Sequence, residues 1–268
     1  MKKFLMTLII VLLFSVNVVH ADMGPKPSVD VYFKGLNETA YAALLGEGDG
    51  YGPWQTVEEP HGADEESRAA EMAFMNVQYF NYHYWGNFTK LEGKNNGLHW
   101  GYFAPESFII ALYFPSTGKV MISEPQSRRY FEQHYICNVT ENGLEVREDN
   151  NIPLRILMIA IRVLITIVVE VLLGMLFGFK SKKQIGLIVK TNLFTQAIVN
   201  IVFSVLELSG GLMFALIIYI PLEFIIFLIE GIIYHRRLDP KWYKTWIYSL
   251  FANGITTYIG IFAGAFLK

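Results

Sequence analysis

Three glutamates, Glu170, Glu223 and Glu230, lie inside stretches of sequence that are otherwise apolar enough to enter a lipid bilayer. An isolated carboxylate in such a low-dielectric medium costs on the order of several kcal/mol, so it must be paired, hydrated or protonated. Ionisable side chains at membrane depth are therefore candidates for an ion, proton or substrate path. Together with nearby polar residues they form one set of candidates for binding or transport: Glu170, Lys190, Asn192, Asn200, Glu223, Glu230 and Asn253.

The polar residues follow helical spacing. In the first apolar stretch, one stripe of a helix carries a polar or small residue at every fourth position: Arg162, Thr166, Glu170, Gly174 and Gly178. The later stretches carry similar stripes: Asn192, Gln196 and Asn200 in the second, Glu223 and Glu230 in the third, and Asn253, Thr256, Thr257, Gly260 and Gly264 in the fourth. Because a polar stripe that faces lipid is costly, we expect the stripes to face other helices.

A polar stripe between helices also has a purely structural interpretation. Asn, Gln and Thr side chains hydrogen-bond across membrane helices for roughly 0.6 kcal/mol each, and glycines spaced four apart allow close packing. The amide, hydroxyl and glycine positions favour this structural role, whereas both roles stay open for the three carboxylates. Glu170 and Lys190 fall at a similar depth, so a buried ion pair between them is a further hypothesis.

The residue patterns of common hydrolases and metalloenzymes are missing from the sequence. It contains no H-E-x-x-H zinc helix and no G-x-S-x-G nucleophile turn. His83, His99 and His134 match no metal-binding spacing, and the acidic residues of GEGDGYG are more typical of a glycine-rich turn than of a calcium loop. We therefore predict that the protein is not an enzyme and that it has no cofactor and no metal site.

Four apolar stretches must position the candidate side chains: 152–179, 184–206, 211–234 and 244–267. The first is long enough, at roughly 1.5 Å per residue, to cross a hydrocarbon core of about 30 Å. The connections FKSKK and HRRLDPKWYK are basic, whereas ELSGG contains a single charged residue, which is acidic. Since basic loops stay in the cytoplasm, this alternation predicts a four-helix transmembrane bundle over residues 151–268 that starts outside the cytoplasm.

The first 21 residues predict a secretory signal peptide. Two lysines precede an apolar run from Phe4 to about Val19, and Val19-His20-Ala21 fits a small-residue cleavage site. An uncleaved signal anchor is the alternative interpretation. Both interpretations place residues 22–150 outside the cytoplasm.

Residues 22–150 predict a β-rich extracytoplasmic domain. In PKPSVDVYFKG, Val29, Val31 and Phe33 alternate as in a strand with one buried face. Further strands are predicted for TAYAALLG, SFIIALYF, KVMISE and RYFEQHYICNV, and a helix is predicted over 64–80. About five short strands and one helix favour a β-sandwich with a helical insertion.

The two halves of the chain differ in charge. Residues 22–151 hold 9 Lys and Arg against 19 Asp and Glu, whereas residues 152–268 hold 11 against 5. The acidic outer part argues against nucleic acid as a partner, because nucleic-acid binding needs clustered basic side chains. With a single cysteine, Cys137, no intrachain disulfide can form, so the outer domain depends on its apolar core.

Four segments together resemble a family of uncharacterised membrane proteins of Gram-positive bacteria: DMGPKPSVDVYFKG, EVLLGMLFGFKSKKQIGLIVKTNLFTQAIVN, LEFIIFLIEGIIY and SLFANGITTYIG. The layout of that family is similar, with a signal peptide, a β-rich outer segment and four C-terminal helices. Some members carry a carboxypeptidase-regulatory-like label, which implies a β-sandwich and no peptidase activity. The resemblance covers the start of the outer domain and the whole membrane part, and it implies no catalytic residues.

The leading functional hypothesis is an integral protein of the cell envelope, multi-pass in the cell membrane. In it, a non-enzymatic outer domain binds or senses a small ligand or an envelope protein. The alternative is a component of ion, proton or small-molecule transport that uses the intramembrane carboxylates. The lipid bilayer is a partner in both hypotheses, and nucleic acid is a partner in neither.

Overall fold

The computed structural model describes residues 24–149, 152–239 and 241–266, with side chains described as far as residue 259. The predicted signal peptide at 1–21 lies outside the described residues. Within them, a β-rich part, hereafter the β-part, is followed by a helical part. The predicted boundary near residue 150 falls between the two.

Eleven strands are found in the described residues of the β-part: β1 (Ser28–Lys34), β2 (Ala40–Glu47), β3 (Gly50–Tyr51), β4 (Trp54–Gln55), β5 (Tyr82–Leu91), β6 (Gly97–Trp100), β7 (Ser107–Phe114), β8 (Lys119–Ile122), β9 (Gln126–Ser127), β10 (Glu132–Thr140) and β11 (Gly143–Glu148). One sheet has the order β11-β10-β1-β6, in which only β1 and β10 are parallel. The other has the antiparallel order β5-β2-β7-β8, and β9 pairs with the start of β7. Strands β3 and β4 form a separate ribbon.

The two sheets pack face to face around one apolar core. Val29, Val31 and Phe33 of β1 are buried in this core, as their alternation predicted. They share it with Phe108 and Ile110 of β7, which come from the other sheet. Each buried side chain of this size contributes about 1.5–3 kcal/mol, so the core can stabilise the β-part without a disulfide. The predicted β-sheet architecture of the N-terminal half is therefore confirmed.

A single helix, α1 (Glu65–Met75), covers the outer face of the second sheet. Its Phe74 ring packs on the ring of Tyr84 in β5, with centroids 5.6 Å apart. The helix begins after Asp64, whose carboxylate accepts the backbone N–H of Ser67 at 2.7 Å, while the Ser67 hydroxyl accepts the backbone N–H of Asp64 at 3.1 Å. Hydrogen bonds from Ser67 lower the pKa of Asp64, which stabilises the charged cap.

Residues 76–100 differ most from the sequence prediction. The helix predicted over 64–80 ends at Met75, and strands β5 and β6, which follow it, were not predicted. Outside this region, the short strands β3, β4 and β9 and the last strand, β11, were not predicted either. The pairing of β5 with β2 shifts between Ala43 and Leu45, so the two-residue alternation of a regular strand is broken. Gly86 lies in this irregular region with a φ of +89°, a conformation that glycine adopts at no steric cost.

Three helices are assigned in the described residues of the helical part: α2 (Ile152–Leu176), α3 (Lys182–Arg237) and α4 (Trp242–Phe266). The long helix α3 is interrupted in its middle, because Gly211 has the non-helical angles φ 81° and ψ 167°. The predicted loop ELSGG is thus helical up to a break at a single glycine.

Helix α3 folds back on itself at this break. We call its two arms α3a (182–210) and α3b (212–237). The ring of Phe203 on α3a lies 5.7 Å from the ring of Tyr219 on α3b, centroid to centroid, which fixes the arms as neighbours. Four helical segments are therefore present where four apolar stretches were predicted.

The basic connections and the β-part lie at opposite ends of the helices. At one end, the side-chain amide of Gln184 donates to the backbone carbonyl of Leu238 at 3.3 Å and links the two basic connections. At the other end, the backbone N–H of Phe131 in the β-part donates to the carbonyl of Leu208 at 2.9 Å, just before Gly211. The arm α3a, roughly 40 Å long, separates the two contacts.

Replacing Gly211 by alanine should destabilise the protein by about 1–3 kcal/mol, because its backbone conformation is essentially restricted to glycine. An added Cβ would also lie 2.7 Å from the ring of Phe131. Thermal unfolding of the purified protein in detergent measures this loss.

The matched control is Gly186→Ala in α3a, where an added Cβ meets no atom within 4 Å. Alanine should stabilise a helix interior by about 0.5–1 kcal/mol relative to glycine. Equal unfolding temperatures for the Gly211→Ala and Gly186→Ala variants would contradict the requirement for glycine at the break.

Candidate functional site

Helices α2 and α3 turn polar residues inward and apolar residues outward. In α2 the buried residues are Thr166, Glu170 and Gly174, although most of the helix is aliphatic. The aliphatic side chains lie on the outside, and Leu176 is 81% exposed. Among the described residues, α2 and α3 are long and apolar enough to cross a membrane, by length and composition alone. The predicted polar stripe of the first stretch therefore faces the other helices at Thr166, Glu170 and Gly174, whereas its last member, Gly178, is exposed and lies beyond the end of α2.

Glu170 on α2 is completely buried. The side-chain amide of Asn192 on α3a donates to its Oε2 at 2.5 Å, and also to the hydroxyl oxygen of Tyr234 on α3b at 3.2 Å. The hydroxyl of Tyr248 on α4 donates to the backbone carbonyl of Glu170 at 3.0 Å. One glutamate on α2 is thus connected to the three other helical segments.

Glu230 on α3b is completely buried as well. The hydroxyl of Thr195 on α3a donates to its Oε1 at 2.7 Å. The side-chain amide of Asn253 on α4 donates to its Oε2, also at 2.7 Å. Both oxygens of this carboxylate therefore have a hydrogen-bond donor. We call these five residues the carboxylate core: Glu170, Asn192, Thr195, Glu230 and Asn253.

The two carboxylates occupy corresponding places in two similar helical hairpins. Glu170 and its asparagine partner are 22 residues apart, and Glu230 and its partner are 23 residues apart. Each asparagine also donates to the carbonyl four residues earlier in its own helix. A threonine follows each asparagine by three positions, Thr195 and Thr256, and donates to a carbonyl of its own helix. The hairpins α2–α3a and α3b–α4 therefore repeat one motif of Glu, Asn and Thr.

The hydrogen-bond donors to the two core carboxylates are all neutral. They are the amides of Asn192 and Asn253 and the hydroxyl of Thr195. Glu170 and Glu230 accept from residues three positions apart on α3a, so the two carboxylates are neighbours and repel each other when both are ionised. Two adjacent buried charges without a counter-ion are costly. The arrangement therefore favours a pair of carboxylates that holds a proton or another cation.

The third carboxylate, Glu223 on α3b, has a different environment. The hydroxyls of Tyr219 and Thr257 and the positive charge of Arg162 on α2 lie near enough to act on it. Its Oε2 is buried without a hydrogen-bond partner among the described residues. The Arg162 guanidinium also lies over the ring of Phe203, 5.7 Å from the centroid. A neighbouring cation thus distinguishes Glu223 from the two carboxylates of the core.

Besides Glu223, two further predicted candidates lie outside the carboxylate core. Lys190 is exposed. It lies about 200° around the helix from Asn192, so it points away from the residues that contact Glu170. The hypothesis of an ion pair between Lys190 and Glu170 is therefore wrong. Asn200 is buried, but its amide donates to the backbone and side-chain oxygens of Gln196 in its own helix. Asn200 therefore has the structural role that the sequence favoured for amides.

Three residues that contact the core carboxylates or their partners were not among the predicted candidates: Thr195, Tyr234 and Tyr248. The four-residue spacing that linked Asn192 to Gln196 and Asn200 did not include Thr195, which lies three positions after Asn192. The detectable signal was the repeated order of glutamate, asparagine and threonine in the two halves of the helical part. That signal would have found Thr195, but neither tyrosine.

The β-part carries a separate polar row on its surface. Asp30 lies between its cross-strand neighbours, with Oδ1 2.6 Å from Nδ1 of His99 and Oδ2 3.3 Å from Nδ1 of His134. Within the described residues, no group of three His, Cys, Asp or Glu side chains is arranged to hold a metal ion. Two open clefts of about 670 and 640 Å³ also indent this part, next to β1 and to the β3–β4 ribbon.

No protein-family model, no curated protein and no solved structure matches this chain. The geometry of the carboxylate core is therefore the basis for assigning a function.

Replacing Thr195 by valine should destabilise the protein by about 1–3 kcal/mol, because Oε1 of the buried Glu230 loses its donor. Valine has nearly the shape of threonine, so packing changes little. Thermal unfolding in detergent measures the difference.

The corresponding change in the other hairpin, Thr256→Val, is the matched control. The Thr256 hydroxyl donates to carbonyls of its own helix and to no carboxylate among the described residues, so its loss should change stability less than the loss of the Thr195 hydroxyl does. If both variants unfold at the same temperature, Thr195 does not support Glu230.

Proposed function

We propose that this chain is a multi-pass protein of the cell membrane, with the β-part outside the cytoplasm. The four membrane-spanning segments are α2, α3a, α3b and α4. Support comes from their polar interior and apolar exterior, and from the length of α2, whose 25 residues extend about 37 Å. The position of the basic connections at the end opposite the β-part agrees with retention of basic loops in the cytoplasm.

We further propose that the helical part binds a proton or a monovalent cation at the carboxylate core and takes part in its transport. One observation carries this proposal: Glu170 and Glu230 are fully buried, their donors Asn192 and Thr195 lie one turn apart on α3a, and all their hydrogen-bond donors are neutral. Such a pair gains stability from one added positive charge, and a bound charge that can leave again is the requirement for transport.

A sensing role for the β-part is the second candidate function, and it requires no enzymatic step. It is favoured by the contact between Phe131 and Leu208, which joins the β-part to the turn between α3a and α3b. A small ligand or an envelope protein bound to the β-part could act on the helices through this contact.

The topology is testable by cysteine labelling in intact cells with a membrane-impermeant maleimide. Glu141→Cys, at the exposed turn between β10 and β11, should be labelled directly. Lys183→Cys and Arg236→Cys, in the exposed basic connections, should be labelled only after the membrane is opened.

The native protein is a suitable background for this experiment. Cys137 is fully buried, and burial raises the pKa of its thiol to about 12, so little reactive thiolate forms at neutral pH. Labelling of Lys183→Cys in intact cells would contradict the proposed orientation.

The transport proposal is testable in proteoliposomes that contain a pH-sensitive dye and, separately, a dye for monovalent cations. The parent protein should dissipate an imposed gradient of one of these ions. Glu170→Gln should reduce the rate at least about tenfold, because the core loses one of its two titratable charges.

Lys190→Gln is the matched control, because Lys190 is exposed on α3a outside the core. Its rate should equal that of the parent. Equal rates for the parent, Glu170→Gln and empty liposomes would reject transport through the core.

A further inference from the structure

Two buried acceptor atoms in the core have no hydrogen-bond partner among the described residues, and they belong to the same contact. They are Oε1 of Glu170 and Oδ1 of Asn192, and both side chains are 0% exposed. The second polar atoms of these two side chains are hydrogen-bonded to each other, since the amide nitrogen of Asn192 donates to Oε2 of Glu170 at 2.5 Å. A carboxyl group and a primary amide joined in this way can form a second, parallel hydrogen bond if the carboxyl carries a proton.

We infer that the Glu170–Asn192 pair is the proton-binding site of the core and that Glu230 remains ionised beside it. A proton on Oε1 of Glu170 makes this atom an O–H donor, and Oδ1 of Asn192 becomes its acceptor. One proton thereby satisfies both unpartnered atoms and removes one of two adjacent negative charges. No covalent bond other than O–H forms or breaks, and the proton comes from the solvent on one side of the membrane.

The difference between the two hairpins explains why the proton belongs on Glu170. Each oxygen of Glu230 already accepts a hydrogen bond, one from Thr195 and one from Asn253, so its ionised form is satisfied. The residue that corresponds to Thr195 in the second hairpin is Thr256. Both hydroxyls contact carbonyls of their own helix, but only that of Thr195 also contacts a carboxylate. The first carboxylate therefore has one donor fewer than the second.

The titratable groups that face Glu170 favour one proton on the pair, and the number of hydrogen-bond donors decides which carboxylate holds it. Glu230 and Glu223 on α3b repel a negative charge at Glu170, and Glu223 likewise repels a negative charge at Glu230. The hydroxyls of Tyr234 and Tyr248 lie nearby but carry no positive charge, and Tyr248 donates to the backbone carbonyl of Glu170, not to its carboxylate. The cation Arg162 acts on Glu223. The inference rests on the proposed function and narrows its ligand from a proton or monovalent cation to a proton.

Infrared difference spectroscopy of the full chain in nanodiscs, between acidic and alkaline pH, tests the inference. The parent should show the carbonyl band of a protonated, hydrogen-bonded carboxyl group, and this band should shift in heavy water. Glu170→Gln should lose the band, whereas Glu230→Gln should keep it. The Glu170→Gln variant should still fold, because a primary amide can form the same two hydrogen bonds with Asn192.

A second readout does not depend on a change at either glutamate. Asn192→Leu should keep the carboxyl band but move it to higher frequency, because the hydrogen bond to the carbonyl of the acid is lost. A band that persists unchanged in Glu170→Gln, or one that Asn192→Leu does not move, overturns the inference.

Addition of sodium or potassium chloride at fixed pH separates this inference from the broader proposal. No change in the carboxyl band is expected. If either salt removes the band, the core binds a monovalent cation in competition with the proton; the inference then fails and the proposed function stands. If the parent shows neither a carboxyl band nor any response to salt, both fail.

Discussion

A carboxylate buried among apolar helices needs hydrogen-bond donors, and this requirement organises the helical part. Glu170 on α2 takes its donor from α3a, and Glu230 on α3b takes donors from α3a and α4. In lipid, apolar side chains gain little by leaving the acyl chains for one another, so polar contacts carry much of the specificity of helix packing. Removing any one helical segment would leave a buried polar group unsatisfied.

The sequence predicted the inward-facing stripe of this bundle but not the partners within it. A four-residue spacing of polar groups is visible in the chain, and Glu170 is buried as that spacing requires. The depth of Lys190 suggested an ion pair, because counting residues gives depth and not the direction around the helix. Asn192, two positions away, has the direction that meets the carboxylate. The contact of Thr195 with Glu230 depends on the return of the chain at Gly211, which no spacing within one helix encodes.

In the β-part, a strand with regular alternation of apolar residues could be predicted from the sequence, whereas a strand with irregular pairing could not. The apolar residues of β1 alternate strictly, and their buried face was predicted correctly. Strand β5 contains an irregularity opposite Ala43 and Leu45, so its aromatic residues do not follow the period of two that identifies a strand. The end of α1 at Met75 was missed for a related reason, since the residues that follow include neither glycine nor proline before Tyr82.

The break at Gly211 connects the two candidate roles of the protein. It lies next to the hydrogen bond from the backbone N–H of Phe131 to the carbonyl of Leu208, and it joins the arm that carries Thr195 to the arm that carries Glu230. In the proposed sensing role, a ligand that displaced Phe131 would alter the angle between the arms, and the hydrogen bond from Thr195 to Glu230 would lengthen or shorten with it. Because linkage is reciprocal, a change of charge in the core would alter the affinity of the β-part for the same ligand. If both proposed functions hold, sensing and ion binding are two descriptions of one equilibrium.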